Sequence, residues 1–276
     1  MNINREGKRS LIRRFDDVIV MLSAYPNNFF HTIIEIAPSI LQLLPIIQQN
    51  PNIPILMNRE LKSPEIFRYF GLDERKLNTI FIRKDDSHVF YYAKNAIFTS
   101  NPPCHFTTRG LWKSIRQNFL QQTKDEIISM EPSLGVFPLP KDKTLRLIFV
   151  NRTGERELVN SKVLFDLIIE TFPEIDLVVY DSMSFPASVN LFSQAHMLLG
   201  VHGAGLSNMI YMPEESTVIE ILPGYYQNYC FYNLARTLGF KHILIDGKGT
   251  KSSPTTTQFE LIIQAIQQTL ERKQTN

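Results

Sequence analysis

From residue 145 onward, short apolar runs rich in β-branched and aromatic residues alternate with segments of helical period, and few folds accommodate that alternation. The runs Leu145–Val150, Ile175–Tyr180, Met197–Val201, 217–222 and 241–245 read as strands. Between them, Asn160 caps a helix in which Val163, Leu164, Leu167 and Ile168 recur at helical spacing. A second helix covers 186–194, with Ser184 as its cap and Pro186 in its first turn. A short helix follows Gly205, and another ends at Leu238-Gly239. Strands without a polar face, each followed by a helix, make a parallel sheet covered on both sides. This half is Rossmann-like.

The first half keeps the rhythm less regularly. Strands are expected at 18–22, 53–57, Thr79–Ile82 and 89–98, the last as one strand or two. Helices are expected at 31–36, 39–49, 63–70 and 110–122, with Pro38 separating the first two and Pro45 inside the second. Three prolines and a glycine in 131–141 read as a linker. The expected architecture is therefore α/β, with an N-terminal Rossmann-like domain over 1–140 and a C-terminal one over 141–276. The last helix, 258–272, is free to pack back on the first domain. Two such halves face each other across a cleft, and open α/β sheets bind ligands outside the carboxyl ends of their strands.

Composition narrows the classes. Of 276 residues, 43% are hydrophobic and 20% charged, which excludes disorder, collagen and coiled coil. Lys plus Arg number 29 against 27 acidic residues, so the net charge of +2 excludes a globally basic nucleic-acid binder. Two cysteines make no disulfide framework, and six scattered histidines show no zinc spacing; Cys104 beside His105 has no suitably spaced partners. No uninterrupted apolar run approaches the ~20 residues of a membrane span. Residues 1–17 are polar and Arg-rich with no apolar core behind them, so the chain as it stands reads as cytoplasmic.

Four segments can carry chemistry. In Gly200-Val201-His202-Gly203-Ala204-Gly205-Leu206-Ser207-Asn208, two glycines let the backbone approach a ligand, and the following helix start suits a phosphate. The alternative is a tight strand-to-helix turn without ligand. A dinucleotide fingerprint fails at Asn208, an esterase oxyanion loop lacks its Gly-x-Ser-x-Gly partner, and Gly247-Lys248-Gly249 is no phosphate-binding Walker loop. In Asn151-Arg152-Thr153-Gly154-Glu155-Arg156-Glu157, two arginines could grip a diphosphate, or Glu155 and Glu157 could neutralise them in a solvated loop. Asn151 also opens a glycosylation sequon, expected to be unused because a glycan there would block the site. His31 and Glu35 share a helix face, as a base and its orienter or as a plain hydrogen-bonded pair. Glu220, in a buried strand, needs partners: sugar hydroxyls or backbone donors.

The run 200–209, followed by Met212-Pro213 and Val218-Ile219-Glu220-Ile221, closely resembles the signature of glycosyltransferase family 61. Arg152, Arg156 and Asn160 resemble its Arg-x-x-x-Arg-x-x-x-Asn stretch, and Asn28, His31, Glu35 and Pro38 its N-terminal motif. The family includes plant xylosyl- and arabinosyltransferases and animal protein O-GlcNAc transferases. The resemblance implies a GT-B fold and inverting transfer of GlcNAc or xylose from a UDP-sugar to a hydroxyl of a glycan or glycoprotein. No cofactor or metal is expected. The donor would be held by Arg152, Arg156, His202, Gly203, Ala204, Gly205, Asn208 and Glu220, and His31 with Glu35 would be catalytic; His202 and Asp181 remain alternatives for the base. Family members are secretory, so the resemblance points to the Golgi or ER lumen. Rival classes are a non-catalytic nucleotide-sugar binder, a Rossmann oxidoreductase and, more weakly, an α/β hydrolase.

Overall fold

The computed structural model describes residues 11–61, 64–83, 89–99, 108–130, 137–224 and 228–275. It contains two compact units, Met1–Phe106 and Thr107–Asn276. Helix α3 (Arg109–Met130), which a boundary at 140/141 would assign to the first unit, belongs to the second. The reason is packing: Trp112, Ile115 and Phe119 are fully buried, with the Phe119 ring edge-on to Tyr211 at 5.3 Å. Part of the expected linker (131–136), together with Cys104 and His105, lies outside the described residues.

In the second unit, β5 (Leu145–Val150), β6 (Ile175–Tyr180), β7 (Met197–Val201), β8 (Thr217–Pro223) and β9 (Lys241–Gly247) form one sheet in the order β6-β5-β7-β8-β9. Every pairing is parallel. The connecting helices are α4 (Ser161–Thr171), α5 (Phe185–Phe192) and α6 (Cys230–Leu238), the last stopped by Gly239 at φ 79°. The helix expected after Gly205 is a 3₁₀ segment, Ala204–Tyr211. Helix α7 (Phe259–Thr275) buries Ile262, Ala265, Ile266 and Leu270 in the same core as Leu147, Ile168 and Ile219, so its apolar face is spent on its own unit's sheet.

The first unit holds β1 (Leu11–Met21), β2 (Ile55–Asn58), β3 (Thr79–Ile82) and β4 (Val89–Ile97), all parallel, in the order β3-β2-β1-β4. β1 begins well before the expected residue 18 because Leu11–Asp17 pair with the start of β4. Pro38 does not divide the first helical stretch. Phe29–His31 (α1) runs through a π-helical turn, Thr32–Ile36, into α2 (Ala37–Gln49), and Pro38 sits directly after that turn, where the ladder changes register with Ala37 N–H donating to the Thr32 carbonyl. Residues 63–70 become a 3₁₀ segment, Pro64–Phe70, closed by Gly71 at φ 72°.

The stretch Phe29–Gln49 is 21 residues long and apolar enough by length and composition to cross a membrane, which corrects the expectation drawn from uninterrupted runs. Its Ile33, Ile36, Ala37, Ile40 and Ile47 are buried in the first unit's core.

Candidate functional site

Strand order locates the site in the second unit. The chain enters the sheet at β5, moves to one side for β6, then crosses back to β7 on the other side. The loops leaving β5 and β7 therefore open at a topological switch point, where open parallel sheets leave a crevice. Those loops hold Arg152 and Arg156 on one side and His202 to Gly205 on the other.

The two loops interlock. Gly203 has an extended backbone, φ 174°, so its role is spatial: a Cβ there would collide with Nη1 of Arg152. A Cβ on Gly205 would lie 2.6 Å from Cγ1 of Val150, the last residue of β5. The glycines thus admit the first loop's side chains against the second loop. Arg152 Nε donates to the Glu155 carbonyl at 3.1 Å, and Arg156 Nη1 donates to the His202 carbonyl at 2.9 Å. Gly154, Arg156 and Asn160 all have left-handed backbones, which coil 152–160 tightly over the sheet edge. Asn160 precedes α4 but makes no side-chain cap bond. The chain after β9 clamps this loop from behind: Arg156 N–H donates to the Ser253 carbonyl, and Val159 N–H to that of Thr255.

Burial, reinforced by the neighbouring charge of Arg156, pushes the Arg152 guanidinium below its ordinary pKa, with Glu155 partly opposing. A half-buried cation beside a second cation is an anion-binding arrangement.

Glu220 is 1% exposed, and its partners within the fold are two histidine side chains rather than backbone donors. One carboxylate oxygen is held by Nδ1 of His202 and the other by Nε2 of His242 at 2.8 Å. Burial alone would raise this carboxyl; hydrogen bonds from both histidines outweigh it and hold it below the ordinary range. Both ring nitrogens therefore carry the hydrogen, since a carboxylate only accepts. His242 is not legible in the sequence as a partner of Glu220: it lies beyond Glu220 with no motif around it, and the parallel register of β8 and β9 brings the two together.

The other expected donor residues sit close by. Ala204 accepts from Ser207 Oγ at 2.7 Å, and Asn208 Nδ2 donates to the Gly205 carbonyl at 2.9 Å. Asn208 is buried, and its Oδ1 has no partner among the described residues, so it shapes the turn from beneath. Asn151 Nδ2 donates to Asp181 at the end of β6 at 2.6 Å, which engages both the sequon asparagine and the alternative base. Among the described residues no cluster of His, Cys, Asp and Glu could hold a metal ion.

In the first unit the same rule selects the loop after β1, the strand flanked by β2 and β4. Asn28 caps α1 by accepting from Phe30 N–H at 2.9 Å, and His31 follows. His31 Nδ1 meets Glu35 Oε1 at 2.5 Å, with both side chains largely buried and the Tyr25 ring 4.8 Å from that of His31. The π turn containing Glu35 is a local departure of the kind found at functional sites. This pair stands within its own unit, apart in sequence from the arginine and glycine loops.

Fold and site together define a parallel α/β protein whose second sheet carries a cationic, glycine-lined edge suited to a phosphorylated ligand. The family model for glycosyltransferase 61 matches residues 29–219, and the chain belongs to that family. The match contains every expected site residue except Glu220. Among similar proteins, a beta-1,2-xylosyltransferase of Oryza sativa subsp. japonica is 26% identical over 220 residues, covering 75% of this chain and 37% of the relative. An EGF domain-specific O-linked N-acetylglucosamine transferase of Gallus gallus is 26% identical over 145 residues, covering 51% and 24%. An alpha-1,3-arabinosyltransferase of Oryza sativa subsp. japonica is 32% identical over 95 residues, covering 33% and 15%. The chain spans little more than a third of the first relative's length and less of the others.

Proposed function

We propose that this chain is a glycosyltransferase that moves GlcNAc or xylose from a UDP-sugar to a hydroxyl of a glycan or glycoprotein, with inversion at the anomeric carbon and a GT-B arrangement of its two units. The observation that carries the reading is the Arg152–Arg156 pair held against His202 and Gly203 at the β5/β7 switch point. A departing UDP gathers negative charge on its diphosphate, and fixed guanidinium groups in a half-desolvated site stabilise that charge without reorganising. In this reading Arg152, Arg156 and the 202–205 backbone take the diphosphate. The acceptor oxygen forms its bond to C1 as the C1–O bond to UDP breaks, and His31, held at Nδ1 by Glu35, takes the acceptor proton. The fixed charges do the work that a metal ion does in other transferases, so no metal is required.

The names of the relatives support the same reaction class: each is called a xylosyl-, arabinosyl- or N-acetylglucosamine transferase. The test is calorimetric binding of UDP, with NAD as control, with and without Mg²⁺, to the wild-type chain and to Arg152→Ala. The expected result is UDP binding that is indifferent to Mg²⁺ and weakened about 10- to 100-fold in the variant. A folded chain that binds NAD, or no nucleotide, overturns the reading; UDP binding with no turnover of any UDP-sugar leaves a non-catalytic binder.

A further inference from the structure

His202, Glu220 and His242 form a row across three adjacent strands. Gly200 pairs with Glu220 and Val218 with His242, so Glu220 and His242 are diagonal neighbours on one face of the sheet, and His202 extends the row from the end of β7. Helix α6 covers them with aromatic rings: Phe231 stands edge-on to His202 at 4.9 Å, and Tyr232 edge-on to His242 at 5.6 Å. All three side chains are at most 4% exposed. A carboxylate at such depth is costly, and replacing a buried charged pair by apolar residues of similar volume is often neutral or stabilising, so the row is weak evidence for a stabilising role.

What the row does is hold an imidazole still. His202 is tied twice, its carbonyl to Arg156 and its ring to Glu220. Glu220 in turn has only two oxygens, and His242 occupies the second. With both oxygens held, the carboxylate cannot rotate, and His202 is locked with its Nδ1 on Glu220. We propose that His242 is a positioning residue for the donor site: acting through Glu220, it fixes His202, whose carbonyl holds Arg156 of the arginine loop. This rests on the reading of that edge as the donor site. Arg156, held on the His202 carbonyl, then stays placed against the charge that develops on the leaving diphosphate, so loosening His202 lowers turnover more than donor binding.

The experiment compares wild type with His242→Leu, which removes the donor, and His242→Gln, which restores an N–H near Nε2. Two properties are read: UDP affinity with UDP-sugar turnover, and the imidazole nitrogen resonances of His202 in ¹⁵N-histidine-labelled protein, which need no activity. In His242→Leu we expect kcat to fall by about tenfold, with UDP affinity within about threefold of wild type, and the His202 Nδ1 resonance to move. In His242→Gln both return toward wild type. Unchanged His202 resonances in folded His242→Leu overturn the inference, as does a wild-type kcat in that variant. A wild-type chain that binds no UDP overturns the donor-site reading instead, and the resonances alone then decide whether His242 orients His202.

Discussion

Gly203 and Gly205 are two residues apart, yet alanine should damage them differently. At Gly203 an added Cβ meets the far end of a flexible side chain, the Arg152 guanidinium, and the extended backbone imposes no strain. Arg152 can swing away, so the fold should lose no more than about 0.5 kcal/mol. What is lost is the placed guanidinium: a charge-assisted contact to diphosphate is worth ~1.5–3 kcal/mol, or about 10- to 100-fold in UDP affinity. At Gly205 the Cβ would stand 2.6 Å from Cγ1 of Val150, about 1 Å inside ordinary contact. Val150 is 6% exposed and its branched side chain has little rotamer freedom, so strand and loop must part. Overpacking of this kind costs ~1–3 kcal/mol, a fall of about 3–8 °C in Tm for a unit of this size. Thermal melts and UDP calorimetry on both variants separate the effects. The decisive control is Gly203→Ala in an Arg152→Ala background, where it should cost nothing further in affinity. If Gly203→Ala weakens UDP binding as much without Arg152 as with it, the glycine does not act by admitting that side chain.

Three further outcomes follow from the same contacts. Arg146 is 3% exposed and donates to Asp176 at 2.7 Å and to the carbonyls of Phe137 and Pro138, so Arg146→Ala should lose about 3–5 kcal/mol by chemical denaturation, since it strands an acidic partner. Burial, then the charges of Lys273 and Arg146, lower His196 from 6.5 to about 4. The native ring thus stays neutral where the unfolded one gains a proton, and stability should fall as pH drops from about 6.5 to about 4, by on the order of 2 kcal/mol after allowing for solvent screening; a flat profile over that window in denaturant titrations, or His196→Gln with the same slope, would count against this. His31→Ala should keep UDP affinity within about twofold while transfer to acceptor falls by at least about 100-fold, and undiminished transfer would remove His31 from the base role.

The C-terminal strands were readable because each is a local event. Leu145–Val150, Ile175–Tyr180 and Met197–Val201 fold over the spans their β-branched and aromatic composition marks out, since each is an apolar run interrupted at most once, by Arg146 in the first and Asp176 in the second. Arg152, Arg156 and the 202–205 loop stand out in the sequence for the same reason: loops that leave such strands are few, and charged or glycine-rich ones are conspicuous. Pro38 reads as a break in the sequence, because nothing local shows that a π turn precedes it and carries the helix past it. Leu11–Asp17 were missed because their pairing with β4 is long-range and both partners are half polar.

The amino-acid order by itself therefore determines the α/β class, most strand limits, and which loops carry cations and glycines, all of which depend on neighbours a few residues away. Only the tertiary structure decides that Gly203 makes room for Arg152, that Arg156 reaches the His202 carbonyl, and that Glu220 is shared by His202 and His242. Those contacts join β5, β7, β8 and β9 through the register of parallel strands. In a parallel sheet every such pairing spans a crossover helix or a longer connection, and no local periodicity records it.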